Sequence, residues 1–284
     1  MSTFGTRLHD AMATRGRLCV GIDPHAALLR GWGLDDDVAG LERFALSVVE
    51  AVAPVASVVK PQSAFYERFG SRGIAVLERV VAESRAAGAL VLLDVKRGDI
   101  GSTSQAYADA YLDPASPLGV DAITVSPYLG LGSLDPFVDT ARRHDAGVFV
   151  LALTSNPEGP EVQHAVGADG VRVADRVLDH LRGLNADAGS LGSLGQLGSF
   201  GAVVGATIAQ PEEGPAFDLA TGGPVLAPGF GAQGGTVDDL RRIFGASASH
   251  VLASSSREVL GLGPDRLAMR DAVRATNDEL AALG

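Results

Sequence analysis

Short apolar runs rich in Val, Ile, Leu and Ala recur along the chain. They lie at 18–23 (LCVGID), 57–60 (SVVK), 90–96 (LVLLDVK), 122–126 (AITVS), 147–155 (GVFVLALTS), 202–207 (AVVGAT), 224–228 (PVLAP) and 250–254 (HVLAS). Runs without polar alternation read as strands buried on both faces. Between them lie longer stretches with helical spacing, at 36–52, 71–87, 131–144, 161–184, 237–244 and 265–283. Eight strands alternating with helices predict a (β/α)8 TIM barrel rather than an open doubly wound sheet. No composition shift marks a boundary, so residues 1–284 are expected to form one barrel domain. The stretch 188–201 (AGSLGSLGQLGSFG) reads as a flexible surface loop before the sixth strand. Its SLG/QLG echo is too short for a structural repeat.

Polar residues collect where the predicted strands end. Asp23 ends the first, Lys60 the second, Asp94 and Lys96 the third, Ser126 the fourth, and Thr154, Ser155 and Asn156 the fifth. The seventh runs into PGFGAQGG (228–235) and the eighth into SSSR (254–257). In a barrel these ends share the C-terminal face, where active sites are built and where the last two loops often hold a phosphate. The glycines of 228–235 are expected to let backbone N–H groups approach an anion, with Gln233 and the guanidinium fork of Arg257 as further donors.

The densest chemistry lies at 91–103, VLLDVKRGDIGST. Side chains alternate along a strand, so Asp94 and Lys96 point the same way and Val95 opposite. Opposite charges at the end of a buried strand cost free energy unless they are paired or used. Gly98 and Gly101 then break the strand and leave Asp99 in a turn, free to reach elsewhere. Arg97 points away from Lys96 and is expected to make a structural ion pair.

Composition narrows the partners. Hydrophobic content of 46% with 20% charged residues describes a soluble globular chain, and a net charge of −11 argues against nucleic acid or an anionic membrane surface. A local basic pocket for a phosphorylated ligand remains compatible with that balance. The single cysteine, Cys19, sits in an apolar run and reads as a core residue of a chain in the reducing cytoplasm. The start lacks an apolar secretory core, and no window has the ~18 apolar residues of a membrane span. His25, His144 and His164 are scattered without metal-site spacing. Asp23 before Pro24 reads equally as a turn start, and Ser155-Asn156-Pro157 equally as a strand-ending cap.

Taken in order, GIDPH (21–25), KPQSAFYE (60–67), DVKRGDIGST (94–103), SPYLG (126–130), TSNP (154–157), VVGAT (203–207), PGFGAQGG and SSSR span nearly the whole chain. In this set the chain resembles the orotidine 5′-phosphate decarboxylase family, in its longer (type 2) bacterial branch. The resemblance implies a homodimeric (β/α)8 barrel with shared active sites, converting orotidine 5′-phosphate to UMP and CO2 in pyrimidine biosynthesis, without metal or organic cofactor. It implies that Lys60, Asp94, Lys96 and Asp99 form an alternating charge network, with Asp99, Ile100 and Thr103 entering the partner's site. Asp23 and Lys60 would hold ribose hydroxyls, Ser155 the pyrimidine amide, and Gln233 and Arg257 the phosphate. One departure is Ser254-Ser255-Ser256, where an apolar residue or glycine is expected before Arg257.

The chemistry suits these residue types. Loss of CO2 from C6 leaves a vinyl carbanion with no adjacent carbonyl, so without a cofactor the protein supplies the electrostatics. Two rival readings exist. Metal-dependent relatives with Asp-x-Lys-x-x-Asp, such as keto-gulonate phosphate decarboxylases and hexulose phosphate synthases, need an acidic ligand where this chain has Lys60, a cation that repels Mg2+. A silent nucleotide-binding barrel would have no use for four interleaved charges.

Overall fold

Eight parallel strands close into a barrel with β1 hydrogen-bonded to β8. They are β1 (Leu18–Ile22), β2 (Val58–Pro61), β3 (Leu90–Arg97), β4 (Ala122–Val125), β5 (Gly147–Leu153), β6 (Phe200–Val204), β7 (Val225–Pro228) and β8 (Val251–Ser255). The computed structural model describes residues 2–189, 197–208, 215–231 and 233–283. Each strand falls on a predicted run; β6 starts two residues earlier, at Phe200. Of the segment 188–201, residues 190–196 lie outside the described residues.

The helices show where spacing alone misleads. The stretch 161–184 forms two helices, Gly159–Gln163 and Val173–Gly189, rather than one. Between them GADG (167–170) turns the chain, with Gly170 at φ +80°, and Val166 bridges to Arg172. Helix Gly101–Leu112, which follows β3, was not predicted: its buried face is Ser104, Ala108, Tyr111 and Leu112, with large apolar residues only in the last turn. Helix Val38–Val52 follows the expected pattern, burying Leu41, Phe44, Ala45, Val48 and Val52, with Asp37 accepting from Gly40 N at 2.8 Å.

Two shells of side chains result. Outward strand residues pack under the helices in one continuous core. The barrel interior holds one residue from each strand: Cys19, Val58, Leu92, Ala122, Phe149, Val203, Leu226 and Leu252. The N-terminal helix Phe4–Arg15 closes the bottom of this layer with Phe4, Leu8 and Met12. Phe4 meets Phe149 edge-on at 6.1 Å, and a Cβ on Gly147 would lie 2.3 Å from the Phe4 ring. Arg7 Nη2 donates to Asp121 Oδ1 at 3.0 Å to hold the plug. Two residues further along each strand, the inward positions become Gly21, Lys60, Asp94, Thr124, Leu151, Gly205, Pro228 and Ser254. Leu151 apart, the pleat therefore puts small, polar and charged residues directly above an apolar floor.

Candidate active site

That upper layer opens into a cavity of about 880 Å³ at the C-terminal ends of the strands. Asp23, Lys60, Asp94, Lys96, Ser155, Gln233 and Arg257 all line it. Asp99, Ile100 and Thr103 do not: they sit on the rim after β3, with Ile100 63% exposed. Asp99 Oδ1 accepts from Ile100 N at 2.8 Å.

Asp94 is the centre of the charge array. Its Oδ1 accepts from Lys96 Nζ at 2.6 Å and from Thr124 Oγ1 at 2.7 Å, and its Oδ2 from Lys60 Nζ at 3.2 Å. Burial pushes the Asp94 carboxyl up, but Lys60 and Lys96 outweigh it and hold the group at about 2. Burial alone would depress the Lys60 ammonium; Asp94, then Asp23, overcome it and hold Lys60 above the ordinary lysine value. Both Lys60 and Asp94 are buried, whereas the Lys96 side chain is about half exposed at 45% and faces the cavity.

Backbone irregularities aim these groups. Lys96 has φ +44°, a left-handed conformation that an L residue adopts only under constraint. Its N–H donates to Thr124 Oγ1 at 2.9 Å, and Ser126 N bonds Arg97 O at 2.8 Å. The β3–β4 register shifts over this stretch, and β5–β6 shifts between Leu151 and Leu153, just before Ser155. Thr124 thus fixes both the Asp94 carboxylate and the Lys96 backbone. A hydroxyl at an inward position of the apolar run AITVS, two residues before Ser126, was its only signal in the sequence. Arg97 pairs outward with Glu67 at 2.6 Å, as expected.

The loop after β7 departs from expectation. Gly229, Gly231 and Gly234 have positive φ, but the N–H groups of Gly231, Gly234 and Gly235 bond carbonyls within the loop. Those three amides are not directed at a ligand, and the Gln233 side chain and Arg257 supply donors facing the cavity. Asp23 Oδ1 and Ser256 Oγ are buried without a hydrogen-bond partner beside this region. Ser256 stands at the start of helix Arg257–Leu260, yet its hydroxyl does not cap it. Cys19 lies under the cavity floor, its thiol pushed up to about 12 by burial, which makes it a core residue. Among the described residues no cluster of His, Cys, Asp and Glu is arranged around a metal, and no helix is long and apolar enough to cross a membrane.

A closed parallel barrel with a charged cavity at its C-terminal face defines a (β/α)8-barrel enzyme. The profile described as "Orotidine 5'-phosphate decarboxylase / HUMPS family" matches residues 16–272. The chain belongs to that family. An orotidine 5′-phosphate decarboxylase of Nocardioides sp. (strain ATCC BAA-499 / JS614) is 72% identical, over 99% of this chain and 99% of its own. One from Salinispora tropica is 60% identical, over 100% of this chain and 99% of its own. A crystal structure from Streptomyces avermitilis, provisionally assigned the same activity, superposes with a TM-score of 0.94 at 58% identity, covering 100% of this chain and 96% of that one.

Proposed function

We propose that the chain decarboxylates orotidine 5′-phosphate to UMP, and that the Lys60–Asp94–Lys96 array carries the reaction. The supporting observation is a buried carboxylate held ionised between two ammonium groups, one largely buried in the cavity wall and one half-exposed and facing the cavity. The C6–carboxylate bond breaks, CO2 leaves, and the electron pair stays on C6. The Lys96 ammonium stabilises that charge and delivers a proton to C6; the resulting amine is reprotonated from solvent. Asp94 faces the substrate carboxylate, and this repulsion disappears with CO2. Gln233 and Arg257 on the phosphate supply the remote binding free energy that offsets it, with Asp23 and Lys60 on the ribose and Ser155 on the pyrimidine amide. Lys60 also weighs against the metal-dependent relatives, because its ammonium lies 3.2 Å from the carboxylate such a metal would need.

Asp99, Ile100 and Thr103 belong, in this reading, to the partner's site in a homodimer. Their place on the rim outside their own cavity, with Ile100 and Thr103 exposed and Asp99 half-buried, supports it. The whole chain, 1–284, is read as one barrel domain acting in the cytoplasm. Mixing Asp99→Ala with Lys96→Ala chains, each inactive alone, should restore part of the activity in heterodimers; no recovery would mean that each site is built from one chain.

The primary test is spectrophotometric loss of orotidine 5′-phosphate with EDTA present and no cofactor added. Conversion to UMP supports the reading. Folded protein that leaves the substrate intact overturns it and moves the function to a sugar phosphate or to silent binding.

A further inference from the structure

Nine residues beyond Thr154, at the end of helix Gly159–Gln163, Gln163 turns back onto the end of β5. Its Oε1 accepts from Thr154 N at 2.9 Å, and its Nε2 donates to Thr154 Oγ1 at 2.6 Å. One side-chain amide thus takes both the backbone N–H and the hydroxyl of the residue before Ser155. The amide orientation follows from its partners, since only oxygen can accept from a backbone N–H. The Thr154 hydroxyl donates onward to Asn156 Oδ1 at 2.6 Å, and Asn156 Nδ2 to Glu158 Oε2 at 2.9 Å. Ser155 is therefore flanked on both sides by residues tied into one hydrogen-bonded loop.

Close packing at two glycines constrains the segment further. A Cβ on Gly159 would lie 3.1 Å from both Gln163 Oε1 and Thr154 Oγ1, so the clamp fits tightly over a glycine. From the other side, a Cβ on Gly205 at the end of β6 would lie 3.1 Å from Ser155 Cβ and 3.2 Å from Ser155 N. Thr154, Ser155 and Asn156 line the cavity, whereas Gln163 does not.

We propose that Gln163 is a positioning residue which holds Ser155 against the pyrimidine end of the substrate, so that it governs recognition of the base and not of the phosphate. This rests on the decarboxylase reading, in which Ser155 meets the pyrimidine amide. Displacing a positioned group by about 1 Å can cost on the order of 100-fold in rate even where stability barely changes.

The test compares UMP with ribose 5-phosphate, which lacks the base, as competitive inhibitors of wild type, Gln163→Ala and Gln163→Glu in the full chain. Gln163→Ala should lower kcat/KM by roughly 10- to 100-fold and weaken UMP about tenfold, with ribose 5-phosphate within about twofold. Gln163→Glu keeps an acceptor for Thr154 N–H and should recover part of both losses. Where Gln163→Ala does not fold, Gln163→Glu carries the test, with a smaller but still UMP-selective loss. Equal weakening of both inhibitors, or unchanged UMP affinity in the variants, overturns the proposal. Wild type that binds neither UMP nor orotidine 5′-phosphate overturns the decarboxylase reading itself, and the proposal with it.

Discussion

Replacing Asp94 with asparagine keeps the side chain's shape and removes the charge that two lysines share. The consequences follow from burial: Lys60 and Asp94 are each only 6% exposed, with 3.2 Å between Nζ and Oδ2. At an effective dielectric near 20, unit charges at that separation attract by about 5 kcal/mol. The asparagine oxygen still accepts a hydrogen bond, and Asp23 still faces Lys60 electrostatically. The net loss should therefore fall at the low end of that for a broken buried pair, about 3 kcal/mol at pH 7. For a chain of this size that lowers Tm by roughly 6–12 °C.

The pH dependence is more diagnostic than the magnitude. In the wild type the Lys60 value is raised, so its contribution is fully present below the unfolded value and is lost only as pH rises through the folded one. In Asp94→Asn burial dominates and the Lys60 value drops below its unfolded value. The unfolded chain then binds more protons, and stability rises with pH over roughly pH 8 to 10. In acid the wild type loses the Asp94 contribution as pH falls from the ordinary 3.8 through about 2, and the variant has none to lose. The deficit should thus be largest near neutrality and shrink on both sides, as read by urea unfolding at several pH values. A deficit below about 1 kcal/mol at pH 7 would refute the claim that Asp94 holds Lys60 charged inside the barrel, and so would one that is flat with pH.

Three further outcomes are expected. Arg257→Ala should weaken UMP by about 1.5–3 kcal/mol in calorimetry while the fold survives, since Arg257 is exposed; unchanged affinity would mean that the phosphate lies elsewhere. Gly205→Ala presses a methyl group against Ser155 and should raise KM several-fold with little loss of stability, and an unchanged KM would remove the close approach as a constraint. Gly147→Ala drives a methyl group into the Phe4 ring and should cost about 1–3 kcal/mol in urea unfolding; a neutral effect would show that the plug helix can shift.

The barrel was legible in the sequence because strands buried on both faces leave uninterrupted apolar runs, and all eight stand out. The charge array was legible for the complementary reason that Asp94 and Lys96 break such a run at alternate positions. Features that depend on contacts between distant segments left no local trace. Helix Gly101–Leu112 buries large apolar residues only in its last turn, at Tyr111 and Leu112, so its apolar spacing is faint. The break at 164–172 did have a local signal, the two glycines of GADG, which the helical spacing on either side masked. The left-handed Lys96 is set by Thr124 from the next strand, and the Gln163 clamp by a side chain returning across a loop. The Gly-rich loop was recognised as a loop, but the composition could not tell that its amides turn inward.

The plug under the barrel has a consequence for synthesis. Helix Phe4–Arg15 leaves the ribosome before the surfaces it seals: Phe4 awaits Phe149, and Gly5 N bonds Ser199 Oγ, 194 residues later. At roughly 5–20 residues per second, its apolar face waits on the order of 10–40 s for a seat. During that interval the nascent chain carries an open-bottomed half-barrel and an unplaced sticky helix. Substitutions that make this helix more apolar would therefore lower the yield of folded protein through chaperone load and aggregation, even where they tighten the finished floor.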